Sequence, residues 1–353
     1  MNNNNNLNKT VKKYFILAAA AIATLAACNK VEPESAKTSH AINFSAVAGK
    51  TTKAIITSTY YGTDAPVFGV FTYALSQGKT WASDHADGQA YMNNVQVKYN
   101  EASDIWEPWN GSSFETYYWP LSGSLTFVGY SPYKASGVAY DVTTQKLTFT
   151  NFTVAASAAA QEDLMWATTN ANLTDNQSNY LSGSTDEASS VKGVNIVFHH
   201  ALSQVAFTVS KAATLTDYTV TVKGISFNAF KQGTLEVTND SPSWGEATVN
   251  ETFTAGASDL VTTTSAAAYG TANLAVPQDL DAQQFSITYA LSKGGVDLGS
   301  KTVNVDLRNG AITAWNNNTK YVYNITIDLN KIYFNPTIED WTSPATEQGV
   351  SVN

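Results

Sequence analysis

The sequence predicts an all-β protein: two tandem antiparallel β-sandwich domains behind an export signal. Three observations carry that expectation. Apolar residues alternate with polar ones at period 2 along most of the chain, while helical spacing is scarce. Turn signals such as Asn110-Gly111, Lys293-Gly294-Gly295 and Asn309-Gly310 separate the alternating runs. Aromatics reach 12% and charged residues only 14%, against roughly 25% charged in an average globular protein.

Residues 1–27 read as an address label. Asn2–Asn6 lead to Lys9, Lys12 and Lys13, then to an apolar stretch from Tyr14 to Ala27, the pattern of a secretory signal. That stretch is 14 residues, short of the about 20 a membrane-spanning helix needs. It ends in Leu25-Ala26-Ala27-Cys28, which looks like a lipobox: small residues admit the signal peptidase, and the thiol takes a diacylglyceryl group as a thioether. The alternative is an ordinary signal with an incidental Cys. Cys28 is the only Cys in 353 residues, so no disulfide framework and no Cys-based zinc site is expected, and lipidation is. Two or more acyl chains anchor a protein stably where one is marginal.

Residues 28–40 form a tether, and Asn29–Ser35 resemble the acidic segment that sends some lipoproteins to the cell surface. Removing residues 1–27 takes away three Lys and no acid, moving the formal charge from −9 to −12. An acidic chain with 19 Lys and one Arg, Arg308, argues against nucleic-acid binding, which needs a basic surface.

Strands follow. Ala41–Ala48 places Ile42, Phe44, Ala46 and Ala48 on one face. Val95, Val97 and Tyr99 repeat the pattern, as do Val205, Phe207 and Val209. Val220 and Val222 lead to Ile225 and Phe227; Phe285, Ile287, Tyr289 and Leu291 follow, then Val303, Val305 and Leu307. Tyr321, Tyr323, Ile325, Ile327 and Leu329 give the clearest case. One-sided burial of this kind belongs to antiparallel sheets packed as sandwiches or barrels. A short helical patch is expected near Gln161–Ala167. The polar stretch Thr168–Lys192 marks a boundary between an N-terminal domain at 41–185 and a C-terminal domain at 190–353.

Several segments then carry a family resemblance. Ala41-Ile42-Asn43-Phe44-Ser45 precedes Lys50-Thr51-Thr52-Lys53-Ala54. Phe127–Tyr133 and Asp163-Leu164-Met165-Trp166-Ala167 follow. Val197–Val205 is similar to an F-x-H-A-L-S-x-V strand, and Pro336–Trp341 closes the series. In order and spacing the chain resembles the fimbrillin family, the type V pilins and related anchor and tip proteins of Gram-negative anaerobes.

The resemblance implies transthyretin-like sandwiches, an outer-membrane lipid anchor and other pilus subunits as partners. It also implies assembly by strand exchange. A protease cuts after a basic residue, the first strand (41–48, with Ile42, Phe44 and Ala46 buried) leaves with its lipid, and a neighbour's strand fills the groove. Family members often carry Arg at the cut; here Lys50 or Lys53 must serve, Lys53 before Ala54 being the better match. Both Lys could instead be plain surface residues. Cutting there brings the charge to −14, since residues 28–53 hold four Lys and two Glu. The tail 336–353 is the donor candidate through Ile338, Val350 and Val352. It could equally complete its own domain, as in tip subunits.

Other constellations are weaker. His199 and His200 are adjacent, so on a strand they face opposite sides and cannot share one ion. Asp84-His85-Ala86-Asp87-Gly88 lacks the further acids of a calcium loop. Glu101, Asp104, Glu107 and Glu115 read as a solvated acidic stretch rather than a glycosidase pair. Elbow, phosphate-loop and zincin motifs are missing; no catalysis, cofactor or metal is expected. Trp81, Trp106, Trp109 and Trp119 fall within 39 residues and suggest either core packing or stacking on a glycan. The rival to a pilus subunit is therefore a monomeric surface lipoprotein that binds glycans for nutrient uptake. A host or bacterial surface ligand is a further candidate partner.

Overall fold

The computed structural model describes residues 40–48, 67–103, 105–134, 136–175, 193–309, 312–329 and 331–340. The first half supplies β1 (Phe44–Ala48), β2 (Val67–Leu75), β3 (Gln89–Asn100), β4 (Ile105–Trp109), β5 (Ser124–Ser131), β6 (Val138–Asp141), β7 (Lys146–Thr153), β8 (Met165–Ala167) and β9 (Asn170–Leu173). The second half opens with β10 (Val194–His200), β11 (Ser203–Lys211), β12 (Tyr218–Thr238), β13 (Ser241–Trp244) and β14 (Thr248–Gly256). Then come β15 (Leu260–Val261), β16 (Ala267–Ala268), β17 (Asn273–Ala275), β18 (Gln278–Asp279), β19 (Gln284–Lys293), β20 (Val296–Asp306), β21 (Ala314–Trp315), β22 (Thr319–Ile327) and β23 (Ile332–Asp340). The one α-helix among the described residues is a single turn, Trp81–Asp84.

The ladders of the first sheet run in a closed circuit, β2–β3–β4–β1–β10–β8–β5 and back to β2, with β9 attached to β5. Alternation along its strands separates two cores. Phe44, Phe68, Val70, Leu125, Phe127, Met165, Val194, Ile196 and Phe198 fill one side. The intervening Phe71, Tyr73, Val128, Tyr130 and Trp166 pack on the other, larger core, where Tyr130 meets Phe149 of β7 edge-on at 5.3 Å.

The second half, joined by β6 and β7, forms a sandwich. One sheet is ordered β20-β19-β12-β7-β6, and the other β16-β11-β22-β23. Their inner faces meet through aromatic rings: Phe207 of β11 lies 5.7 Å from Phe227 of β12 and 5.6 Å from Phe285 of β19. Tyr323 of β22 stacks on Phe207 at 5.6 Å. Such offset and edge contacts add to the area they bury.

The expected all-β class is what the chain adopts, with antiparallel ladders nearly throughout. Two pairings are parallel, β1·β10 and β11·β22. Three ladders also join the halves, β1·β10, β8·β10 and β7·β12, while the expected boundary falls largely in residues 176–192, outside the described ones. The helical patch expected at Gln161–Ala167 is replaced by β8. Met165, Trp166 and Ala167 are all buried because that strand is covered on both faces, and a short apolar run of this kind has no visible period. Leu329 is also not in the alternating face: β22 ends at Ile327, and Leu329 is 42% exposed. The step of three from Val222 to Ile225 has a cause, a register shift at Lys223–Gly224 that flips the parity of β12.

Candidate functional site

The closure of the first sheet is built around β1. Register pairs run from Phe44↔Val194 to Ala48↔Phe198 on the β10 side, and a single pair, Phe44↔Trp106, joins it to β4. Ahead of the strand, the Ile42 N–H donates to the Tyr117 carbonyl at 2.8 Å, and the Trp119 N–H donates to the His40 carbonyl at 3.0 Å. The Val194 N–H donates to the Asn43 carbonyl at 2.7 Å. Among the described residues β1 is the strand that joins β4 to β10.

Ile42 and Phe44 are each 1% exposed. The Phe44 ring stands edge-on to Phe68 and Phe127, both at 5.8 Å. Burying Ile and Phe stabilises by roughly 1.5–3 kcal/mol each. Without residues 40–48 this face would open as an aromatic trough beside an unpaired edge of β10, a template for another strand. Ala46 is paired in register with Ile196.

Two contributors to the pairing of this strand were not legible as such in the sequence. Gly193 turns the chain into β10 with φ +108°, and a Cβ there would stand 2.2 Å from the Asn43 carbonyl oxygen. Only Gly fits that approach, so Gly193 ahead of an alternating run was the available signal. Tyr117–Trp119 had no local strand pattern at all.

The other expected residues fall as follows. Cys28, Lys50, Lys53, Ala54, Val350 and Val352 lie outside the described residues. Ile338 is on β23, paired with Tyr321 and 61% exposed, while Phe334 of the same strand meets Phe285 edge-on at 5.8 Å. Of the four clustered Trp, Trp81, Trp106 and Trp119 are buried in the cores and present no face to a sugar. Trp109 is half-buried, with the Lys98 ammonium 4.2 Å above its ring and Phe114 at 5.0 Å.

His199 and His200 face opposite sides. His199 stacks on Trp166 at 4.8 Å, and buried His200 bonds through Nδ1 to Asp163 Oδ2 at 2.7 Å. Asp84 accepts from the Thr80 N–H and Asp87 pairs with Lys79, as in a plain helical turn. Glu107 accepts from Asn100 and Ser103 at a hairpin. Arg308 pairs with Asp281 at the surface. No group of three metal-ligating side chains occurs among the described residues, and no helix there is long and apolar enough to cross a membrane.

The family model described as Fimbrillin-like matches residues 52–341. Among solved structures, a fimbrial protein from Bacteroides vulgatus is 18% identical, covering 86% of this chain and 99% of its own, with a TM-score of 0.58. A candidate cell adhesion protein from Bacteroides uniformis is also 18% identical, covering 86% and 98%, with a TM-score of 0.49. The C-terminally truncated tip fimbrial protein Mfa3 from Porphyromonas gingivalis is 10% identical, covering 78% and 94%, with a TM-score of 0.40. No curated protein matches the sequence.

Proposed function

The chain belongs to the fimbrillin-like family, and from that premise we propose that it is a structural subunit of a cell-surface fimbria with a role in adhesion. It is exported as a lipoprotein through Cys28 to the outer membrane and assembled by proteolysis-triggered strand exchange. The observation that carries this reading is β1. It is short, it holds two fully buried apolar side chains just ahead of and at its start, and it is held to β4 by one register pair. A strand so placed can be replaced by an equivalent strand from a neighbour, which restores both the ladder and the buried face.

Lys50 and Lys53 follow β1 within five residues, so a cut after Lys53 frees the strand together with the lipid. Phe334 packs into its own sandwich, which supports keeping β23 at home. The donated segment then comes from residues 341–353, with Val350 and Val352 as its apolar pair. This is a stalk-type role. No catalytic role is proposed.

The test is N-terminal sequencing of protein sheared from the cell surface. A mature N-terminus at Ala54 supports the reading. A terminus at acylated Cys28 in assembled fibres overturns the processing step.

A further inference from the structure

A cleft of about 490 Å³ opens on the second half of the chain, where β13 and the segment leading from it to β14 face the small β18·β21 sheet. Its floor is fully bonded. Gln278 accepts from the Phe230 N–H and donates to the Phe230 and Val276 carbonyls. The Trp315 indole donates to Tyr323 Oη at 3.0 Å. One wall is Trp244, half-buried and fixed by its own indole bond to the Ala201 carbonyl at 2.8 Å.

The rim is different. Glu246, Asp279, Asn316 and Asn317 line the cleft, and their side chains have no hydrogen-bond partner among the described residues. Four polar side chains with free acceptors and donors thus line one cleft beside a fixed aromatic wall. The adjoining strand carries strain as well. Val249, two residues beyond the lining residue Ala247, sits at φ +62°. That is an outlier for a β-branched residue, and strain of this kind costs about 1–3 kcal/mol and clusters at ligand sites.

The chemistry narrows the ligand. No Lys, Arg or His lines the cleft among the described residues, which disfavours phosphates, sulfates and acidic sugars. Without a third ligating side chain the two carboxylates do not form a metal site. Carboxylates accept from hydroxyls, carboxamides both donate and accept, and an indole offers a flat apolar wall. We propose that this cleft binds a neutral saccharide unit, its hydroxyls on Asp279, Glu246, Asn316 and Asn317 and its apolar face toward Trp244. The proposal concerns an adhesion ligand and is independent of strand exchange, so either can fail alone.

The test is saturation-transfer NMR of the full-length protein against galactose, mannose, fucose, N-acetylglucosamine and N-acetylgalactosamine, with sialic acid and trilysine as charged comparators. At least one neutral sugar should bind. The Asp279→Asn, Glu246→Gln double variant, which keeps the shape of both side chains, should weaken it at least tenfold with the circular dichroism spectrum unchanged. Asp297→Asn, on β20, should leave binding as it was. Binding of none of the neutral sugars, binding untouched by the double variant, or binding of only a charged comparator would overturn the proposal.

Discussion

Phe44 is register-paired with Val194, 150 positions downstream, in a parallel ladder that stitches the first described strand to the strand opening the second half. The pairing makes the fold of one end of the chain depend on the other. It also means that whatever occupies the place of β1 must present an apolar side chain at the position of Phe44.

Phe44→Ala should cost about 3–5 kcal/mol, the range for emptying a fully buried aromatic position. Ile338→Ala, at an exposed position, should stay within about 0.5 kcal/mol. Urea midpoints of the two variants give the comparison, and equal shifts would mean that β1 contributes little to the intact subunit.

Gly193→Ala puts a methyl against the Asn43 carbonyl at a positive φ. A cost of about 1–3 kcal/mol follows from the strained backbone, and it should be felt locally. Hydrogen exchange should quicken at the amides of Ile42 and Val194 while β19 and β22 stay protected. Uniform loss of protection would place Gly193 in the global core instead.

Asp163→Ala removes the carboxylate bonded to buried His200 at 2.7 Å. Hydrogen bonds to charged groups are worth about 1.5–3 kcal/mol, so a loss of that size is expected. A double-mutant cycle with His200→Ala isolates the pair, and a coupling near zero would contradict it.

Alkaline unfolding should involve the buried phenols. Burial pushes the Tyr130 and Tyr323 hydroxyls well above their ordinary value of 10.0. Their contribution is complete below the unfolded value and is lost as pH rises past about 10, where the unfolded chain ionises first. At the acid end, Glu251 is held below its ordinary 4.5 chiefly by the hydrogen bond from Lys231. That contribution is present above 4.5 and lost as pH falls through the lowered value. Denaturation midpoints across the two limbs check both signs, and Tyr323→Phe should flatten the alkaline limb.

Period 2 made most strands legible, because residues such as Val205, Phe207 and Val209 face a core on one side only. β8 was not, since burial on both faces erases the alternation. The β1·β10 and β11·β22 pairings were not either: register and partner choice depend on contacts more than a hundred residues apart, and alternation says only which face is buried. The Trp cluster pointed to two roles, and three of its members turn out to fill cores. The cleft around Asp279 and Asn316 had no signature because its residues come from four separate parts of the chain.

Locking β1 in place shows whether it is a replaceable strand. Ser45 and Asn195 are register partners, Asn195 is exposed, and the natural chain has no Cys beyond Cys28. A Ser45→Cys, Asn195→Cys variant can therefore be oxidised, cut after Lys53 and followed by gel electrophoresis under mild denaturation. Ladders of multimers are expected from the cut unlocked protein, monomers from the locked one, and ladders restored by a reducing agent. Ladders that form equally well with β1 locked would contradict strand exchange at β1.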